Sequence, residues 1–293
     1  MNIKLIGGNG FIGSEVYNLL KDKHNVQVID IASNIGKIDY ESCDIITETN
    51  KLNHLLKDVD VVYMFSAISE ATKNHDDPIN AVNTNILGLA NVLNACVKNN
   101  VKRVIFSSTT WVYSECEEAK VSESSSLNLN EGTSIYSASK ICGEVLVRSY
   151  SKSYNLDYTI CRYGTIYGEN ANPRTIISTF IRNAKNNTPL NITSNGYRNF
   201  IHVKDLAYVL SEIVTLLEDT RNETINIDGG EKVGLYDLAE YIKELVPEVN
   251  VYYDNSNVIE YKGKEVSIDK LNNIFKFTQK INLKDWIRLQ LHV

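Results

Sequence analysis

The sequence lacks the features that mark several large classes of protein. Its 293 residues include five cysteines, four prolines and 15 glycines. The cysteines are odd in number, scattered and without a Cys-x-x-Cys pair, so they fit neither a disulfide framework nor a zinc site, and we expect no metal. Few prolines and glycines leave little room for long flexible linkers. No apolar stretch reaches about 18 residues, so we expect no membrane-spanning helix.

A basic balance is also absent. The formal net charge is −6, whereas proteins that bind nucleic acid or an anionic membrane surface usually carry a basic face. A small anionic ligand remains possible, because two or three arginines suffice to bind a diphosphate. The chain enters an apolar run directly after Met1, without the pattern of a signal peptide. We therefore expect a cytoplasmic protein.

Short apolar runs alternate with longer helical patterns. The predicted strands are Ile3–Ile6, Val26–Ile29, Val61–Phe65, Arg103–Ser107, Tyr158–Arg162 and Val249–Tyr253. The predicted helices are Phe11–Lys21, Lys51–Leu56, Pro78–Asn99, Ser134–Tyr154, Arg174–Asn186, Lys204–Leu217 and Leu235–Leu245, and Ser114–Thr133 is predicted to be a polar surface loop. Strands that are apolar on nearly every residue are buried on both faces. This alternation predicts an α/β fold with a doubly wound parallel sheet.

A glycine-rich turn, Gly7-x-x-Gly10-x-x-Gly13, joins the first predicted strand to the first helix. Glycines let the backbone turn sharply and approach a pyrophosphate, which the free N–H groups and the positive dipole end of the helix then bind. Such glycines also occur in plain tight turns. Their position between a strand and a helix, however, predicts a Rossmann-type dinucleotide-binding domain.

An aspartate ends the second predicted strand, 20 residues after Gly10. A carboxylate at Asp30 would accept hydrogen bonds from the adenosine ribose and repel a 2′-phosphate, which favours NAD over NADP. Asp44 and Ile45 follow where they could reach the adenine. Asp44 fits an ordinary surface residue equally well.

Tyr136 and Lys140 lie four residues apart in a predicted helix and therefore share one face. The ordinary tyrosine pKa of about 10 is too high for a base near neutral pH, but a nearby ammonium group and an oxidised nicotinamide would lower it. The resulting phenolate can take a hydroxyl proton while hydride leaves the same carbon. Thr109, at the end of a predicted strand, could hydrogen-bond the reacting oxygen. Taken singly, these features also fit a surface pair and a Ser/Thr-rich turn.

Together, these segments resemble the extended short-chain dehydrogenase/reductase family, especially its nucleotide-sugar epimerases and dehydratases such as UDP-glucose 4-epimerase. The matching segments follow the family's order from about residue 3 to residue 275: the glycine-rich turn, Asp30, Asn85-x-x-Gly88, Ser107-Ser108-Thr109-x-x-Val112-Tyr113, Tyr136-x-x-x-Lys140, Arg162-Tyr163, Arg198-x-Phe200-Ile201-His202-Val203-x-Asp205 and Asn226-Ile227-Asp228-Gly229-Gly230. Each motif is moderately specific, and the ordered set is highly specific.

The resemblance implies a catalytic set of Thr109, Tyr136 and Lys140, with Lys140 also binding the nicotinamide ribose. It implies NAD as the cofactor, a diphosphate contact at Arg198, and a homodimer formed through the helices predicted at 78–99 and 134–154. The candidate cofactor-binding residues are Gly7, Gly10, Phe11, Ile12, Asp30, Asp44, Ile45, Ser66, Ala67, Asn85, Tyr136 and Lys140. The candidate substrate-binding residues are Thr109, Thr110, Trp111, Thr165 and Arg198.

Departures from the family pattern narrow the expected reaction. The family's 4,6-dehydratases carry an Asp-Glu pair directly after the catalytic threonine. Thr110 and Trp111 hold those positions here and cannot perform that acid–base work, which disfavours dehydration. Thr165 replaces an asparagine that contacts the diphosphate in 4-epimerases. The family's late phosphate-binding arginine is missing, and the segment Tyr261-Lys262-Gly263-Lys264 offers only lysines, which lack the bidentate fork.

We therefore predict NAD-dependent hydride transfer at C4 of a nucleotide-diphosphate sugar, with a 4-epimerase as the leading hypothesis. The alternatives are a 4-dehydrogenase or 4-keto reductase of the same family and, more distantly, a non-catalytic NAD-sensing regulator. The predicted NAD-binding Rossmann domain spans residues 1–168, with 196–228 returning to it. A smaller C-terminal substrate-binding domain is predicted to comprise 169–195 and 229–293.

Overall fold

The computed structural model describes residues 1–32, 40–69, 76–127, 134–192, 196–230, 232–253 and 264–292. Parts of two predicted segments lie outside these ranges. They are residues 128–133 of the predicted loop and residues 261–263 of the lysine-rich segment.

A seven-stranded parallel sheet forms the centre of the fold, in the order β11-β7-β5-β4-β1-β2-β3. Its strands are β1 (Asn2–Ile6), β2 (Asn25–Asp30), β3 (Tyr40–Ser42), β4 (Val61–Met64), β5 (Arg103–Thr109), β7 (Asp157–Tyr163) and β11 (Glu223–Ile227). The direction of winding reverses between β1 and β4. In open α/β sheets, ligands bind at the carboxyl ends of the strands at such a reversal.

The described helices are α1 (Phe11–Leu20), α2 (Thr49–Leu55), α3 (Pro78–Val82), α4 (Leu89–Lys98), α5 (Ile135–Tyr154), α6 (Ile176–Lys185), α7 (Val203–Glu212), α8 (Leu235–Leu245), α9 (Asp269–Phe275) and α10 (Leu283–Leu291). A π-helical stretch, Asn83–Gly88, joins α3 to α4. The shorter strands are β6 (Lys120–Val121), β8 (Thr165–Tyr167), β9 (Leu190–Ile192), β10 (Tyr197–His202), β12 (Lys232–Gly234), β13 (Val251–Tyr253) and β14 (Glu265–Val266). Of these, β8, β10 and β12 form a small sheet beside the large one.

Both faces of the large sheet are covered by apolar helix faces. Val16 of α1 and Leu206 of α7 belong to the buried cluster on one face, and Leu52 of α2 and Leu93 of α4 belong to the cluster on the other. A third cluster joins β8, β9, β10, α6, α8 and α10 in the C-terminal half. This arrangement confirms the predicted doubly wound α/β fold.

Most predicted elements lie within two residues of the observed ones, including the strand predicted at Val249–Tyr253, which begins at Val251. Two predicted segments differ more. The helix predicted at Lys204–Leu217 begins at Val203 and ends at Glu212, and the chain then continues as turns. The segment Ser114–Thr133, predicted to be a polar surface loop, consists mostly of turns and loop in its described part, but it also contains a short strand and buried residues. There β6 pairs in parallel with the distant β14, and Cys116 and Val121 are buried.

Among the residues that the structure describes, no helix combines the length and the apolar character needed to cross a membrane.

Candidate active site

The glycine-rich turn between β1 and α1 forms a cradle that only glycine can build. Gly7 has a φ of +79°, and a Cβ added to it would lie 2.5 Å from the backbone nitrogen of Ser66. A Cβ on Gly13 would lie 2.5 Å from the Cα of Gly8. Gly10 caps α1 at its N-terminus without any side-chain hydrogen bond. The helix therefore presents uncapped N–H groups and the positive end of its dipole, which fits the pyrophosphate of a dinucleotide.

Asp30 lies beside this cradle. Its Oδ2 accepts a hydrogen bond from the Asn9 backbone at 3.0 Å, and its Oδ1 accepts one from the Ala32 backbone at 3.0 Å. The carboxylate thus joins the glycine-rich turn to the end of β2. The side-chain oxygen of Asn9 is buried without a hydrogen-bond partner among the described residues, so the cradle also keeps an acceptor for a bound hydroxyl.

We expect NAD(H) to bind more tightly than NADP(H), because Asp30 would face the 2′ position with a negative charge. Two like unit charges about 4 Å apart repel each other by about 1 kcal/mol in bulk water and by about 4 kcal/mol near a protein surface. These energies correspond to a difference in affinity of about 5- to 1,000-fold. Calorimetric titration of both cofactors measures this difference. Asp30→Asn should reduce the difference in affinity between the two cofactors, whereas Asp44→Asn, the control, should leave it unchanged. Equal affinities in the wild type would contradict the role of Asp30.

The remaining candidate cofactor residues lie around the same edge of the sheet. Ser66 and Ala67 follow β4, and the Ser66 backbone closes against Gly7. Asp44 accepts hydrogen bonds from the Ile46 backbone and the Thr47 hydroxyl, both at 2.8 Å, so its carboxylate closes a local turn. This geometry favours the interpretation of Asp44 as an ordinary turn residue over a contact of Asp44 with adenine.

Asn85 connects two parts of the site. Its side-chain oxygen accepts from the Ile68 backbone at 2.8 Å, and its amide donates to the Ile68 carbonyl at 3.1 Å and to the Ser139 hydroxyl at 3.0 Å. It therefore ties the loop after β4 to α5. A direct contact of Asn85 with the cofactor stays a prediction.

Thr109, Tyr136 and Lys140 converge although they come from two elements. Thr109 is the last residue of β5, and its side chain lies close enough to Tyr136 to lower the pKa of the phenol. The Lys140 ammonium donates to the Ser107 carbonyl at 2.7 Å and lies 5.8 Å from the centre of the Tyr136 ring. Ser134 starts α5 by accepting a hydrogen bond from Ser137 N, which places Tyr136 in the first turn and Lys140 one turn later.

Burial shifts the pKa values of the pair in opposite directions. It raises the pKa of Tyr136 to about 12, although the side chain of Thr109 lowers it. It lowers the pKa of Lys140 to about 8, although the negative charge of Glu144 raises it. Lys140 is therefore mostly protonated at neutral pH, and its positive charge lies where it favours a Tyr136 phenolate.

Behind this pair lies a buried ionic network that sequence reasoning missed. Glu144 is fully buried and forms paired bonds with Arg162, Oε1 to Nε at 2.8 Å and Oε2 to Nη2 at 2.6 Å. Ser108 donates to the same carboxylate at 2.7 Å, and Arg148 at 3.0 Å. Burial alone would raise the pKa of Glu144, but the bonds and charge of Arg162 outweigh it and hold that pKa below its ordinary value. The sequence indicates only that Glu144, four residues after Lys140, shares its face of the helix; the pairing with Arg162 has no local signal.

A small pocket lies at the mouth of the site. It has a volume of about 20 Å³ and is lined by Thr110, Trp111, Thr165, Tyr197, Arg198, Asn199, Lys264 and Val266. Four of the five candidate substrate residues are among these, and Thr109, the fifth, directly precedes Thr110. The Arg198 guanidinium lies over the Trp111 ring at 5.1 Å and donates to the Tyr197 carbonyl at 2.8 Å. Arg198 and Lys264 therefore bring two cationic side chains to this pocket.

The fold and the site together define a class: a doubly wound α/β protein with a dinucleotide cradle beside a tyrosine–lysine pair. A family model described as the NAD dependent epimerase/dehydratase family matches residues 3–228. The chain belongs to this family. Membership confirms the predicted resemblance, the enzyme class and NAD as the cofactor.

Individual relatives are similar along nearly their whole length. An uncharacterized UDP-glucose epimerase of Bacillus subtilis, YtcB, is 28% identical over 307 residues, which cover 97% of this chain and 95% of that protein. A UDP-N-acetylglucosamine 4-epimerase from Methanobrevibacter ruminantium, solved with UDP-N-acetylmuramic acid, is 26% identical with a TM-score of 0.84, covering 99% of this chain and 97% of that one. A UDP-glucuronic acid 4-epimerase from Bacillus cereus, 24% identical with a TM-score of 0.89 and covering 100% and 98%, shares the fold.

Proposed function

We propose that this protein is an NAD-dependent nucleotide-sugar 4-epimerase. The observation that carries the proposal is the convergence of Thr109, Tyr136 and Lys140 between the dinucleotide cradle and the pocket of Arg198. The cradle would hold the pyrophosphate of NAD, and the Arg198 guanidinium beside the pocket would bind the diphosphate of a nucleotide sugar. The reacting sugar carbon would then lie beside Tyr136.

In the proposed reaction, Tyr136 takes the proton of the C4 hydroxyl and later returns it to the 4-keto oxygen. Lys140 stabilises the phenolate electrostatically, and Thr109 holds the reacting oxygen by a hydrogen bond. When bound, NAD supplies the hydride acceptor for the first half-reaction and the donor for the second. Because Arg198 would anchor the diphosphate, the keto sugar can turn and present its other face while it remains bound.

The residues after Thr109 favour epimerisation over dehydration. Elimination of water across C5 and C6 requires an additional acid and base at the sugar. Thr110 and Trp111 line the pocket at this position, and neither titrates near neutral pH. The alternative of a 4-dehydrogenase differs only in releasing the keto sugar before hydride returns.

A substrate panel tests the proposal. Bound dinucleotide would first be released from the purified protein and identified. The protein would then be incubated with UDP-, GDP-, CDP- and dTDP-sugars, and the configuration at C4 followed by NMR. We expect interconversion of the two C4 epimers of a UDP-sugar without net formation of NADH. Accumulation of NADH with a keto sugar would instead identify a dehydrogenase, and the absence of any turnover would favour a regulator.

We expect Glu144→Gln to move the alkaline limb of the kcat profile to lower pH. The mechanism requires protonated Lys140, so activity falls as pH rises through the pKa of Lys140, about 8. Removing the Glu144 charge takes away an interaction that raises this pKa. Ser108→Ala is the matched control, because it removes one hydrogen bond but leaves the charge. An unchanged limb in a Glu144→Gln protein that still binds NAD would argue against this electrostatic role.

We further propose a homodimer formed through the face of α3, the π-helical stretch and α5. These segments pack side by side and expose the apolar residues Ile79, Val82, Leu87, Ile135 and Val145.

The division into domains at 168/169, 195/196 and 228/229 and the cytoplasmic location stay predictions. The five cysteines form no disulfide with one another, and four of them are buried, which supports a reducing compartment.

Val145→Glu should convert the dimer to a monomer, because it places a charge at the centre of the proposed apolar interface. Light scattering on a size-exclusion column measures the mass of each species. Leu289→Glu, at a residue that is 71% exposed outside this face, is the control and should remain dimeric. A monomeric wild type would rule out the assembly.

A further inference from the structure

Asp228 is a buried carboxyl group that the proposed mechanism does not use. It directly follows β11, at the carboxyl edge of the large sheet, and its exposed fraction is 0%. The Gly164 backbone donates to the Ile227 carbonyl at 3.1 Å, which brings the two chain segments together. A Cβ on Gly164 would lie 2.6 Å from the carboxyl carbon and both carboxyl oxygens of Asp228. The carboxyl group is therefore packed against the backbone that leads into Thr165.

The hydrogen bonds of this carboxyl group are incomplete. Oδ1 accepts from the Gly229 backbone at 2.6 Å, whereas no donor in the described part of the chain meets Oδ2 at hydrogen-bonding geometry. Burial raises the pKa of Asp228 to about 7, although the N–H groups of Gly229 and Gly230 and the side chain of Asn199 favour the charged form. An unpaired buried carboxylate is costly, and protonation relieves that cost.

The groups that the structure places against the Asp228 carboxyl group are not titratable. They are the Gly164 backbone, the N–H groups of Gly229 and Gly230, and the Asn199 side chain. The titratable groups on the surrounding elements include Arg198 and Lys264 at the pocket, and Tyr113 and Glu123, which contact Asn226. They also include Tyr163, which pairs with Ile227, and Lys232, which pairs with Asn199. Within the described ranges, no charged side chain contributes to the pKa of Asp228.

Asn199 connects the carboxyl group with the pocket. Its side chain interacts with Asp228, donates to the Lys264 carbonyl at 3.3 Å and lines the pocket beside Arg198 and Thr165. A diphosphate bound to Arg198 would bring two negative charges to the pocket that Asn199 lines. Because like charges disfavour each other, occupancy of the pocket and ionisation of Asp228 oppose one another.

We propose that the enzyme takes up one proton on the Asp228 carboxylate when a nucleotide-diphosphate sugar binds. Asp228 is then a positioning residue. Through Asn199, its protonation state makes the affinity for the substrate depend on pH. This inference rests on the proposed function, since it needs a diphosphate bound to Arg198. The proton comes from solvent, and no bond of the substrate changes.

The sign of the effect follows from linkage. Below pH 7, Asp228 is already protonated in the free enzyme, so substrate binding takes up only a small fraction of a proton. Above pH 7 the free enzyme carries the charge, so binding must acquire a proton and the affinity falls as pH rises. One linked proton weakens binding by at most about tenfold per pH unit.

Calorimetry of the NAD-loaded enzyme with UDP-glucose tests the proposal. UDP-glucose has no phosphate monoester, so the ligand does not titrate in this range. At pH 8, titrations in two buffers of different protonation enthalpy should reveal uptake of nearly one proton, and Kd should rise about tenfold from pH 7.5 to 8.5. Asp228→Asn should bind without uptake and with a flat Kd, whereas Glu123→Gln, a neighbouring carboxylate variant, should behave as wild type.

The outcomes separate this inference from the proposed function. Binding by the wild type without proton uptake at pH 8 would overturn the inference alone, even if Asp228→Asn failed to fold. Persistence of the uptake in Asp228→Asn would do the same, because the proton would then belong to another group such as Lys140. Absence of binding to any nucleotide-diphosphate sugar would overturn the proposed function, and the inference with it.

Discussion

Tyr136→Phe is expected to lose about 100- to 10,000-fold in kcat while it binds NAD almost as well as the wild type. The phenylalanine keeps the ring that is half-buried at the start of α5, but it removes the only atom that can take the C4 hydroxyl proton in the proposed mechanism. Loss of a positioned general base typically costs this much. Steady-state kinetics with the identified substrate and calorimetry with NAD measure the two quantities.

The same helix provides the control for this variant. Tyr154, the last residue of α5, is 59% exposed, so Tyr154→Phe should leave both quantities unchanged. If Tyr136→Phe kept more than about half of the wild-type kcat, the proposed acid–base role of Tyr136 would be wrong.

Arg198→Ala should weaken binding of the nucleotide sugar by about 30- to 1,000-fold. A charge-assisted contact in a largely desolvated site is worth about 2 to 4 kcal/mol when one partner is removed, and each 1.4 kcal/mol corresponds to tenfold. The substitution also removes the guanidinium from its position over Trp111. NAD binding should barely change, because the cradle lies at the start of α1. A pair of titrations, one with UDP, GDP, CDP and dTDP and one with NAD, separates the two effects.

Two further variants sharpen the interpretation. Arg198→Lys keeps the charge but loses the planar fork, so it should recover only part of the affinity. Arg182→Ala removes an exposed arginine of α6, whose guanidinium contacts the Pro173 carbonyl outside the pocket, and should have no effect. Unaltered nucleotide affinity in Arg198→Ala would remove Arg198 from the site.

The large sheet was predictable because its signals are local. β4 and β5 are buried on every residue, and such runs stand out in a sequence. The small strands were not, because their pairing is long-range. β6 has two residues and finds its partner β14 more than 140 positions later. The polar composition around it predicted a loop, whereas the pairing and the burial of Val121 decide the structure.

The candidate site likewise contains residues that could be predicted from the sequence and residues that could not. The positions of Tyr136, Lys140 and Thr109 followed from motif spacing and the ends of predicted elements. The Glu144–Arg162 pair could not be predicted, because it joins α5 to β7 through the fold and neither residue is exceptional in its own segment. Likewise, the spacing of Asp228 and Asn199, 29 residues apart, gives no sign that the small sheet brings them together.

The most direct test of the account follows the hydrogen at C4. The nucleotide sugar identified by the panel would carry deuterium at that carbon, and the products would be analysed by NMR and mass spectrometry. We predict that the C4 epimer retains the deuterium at C4, with none lost to water and no net NADH, because the hydrogen leaves as hydride and returns within the same active site. Replacement of the deuterium by solvent hydrogen, or its appearance in released NADH, would contradict epimerisation by reversible hydride transfer.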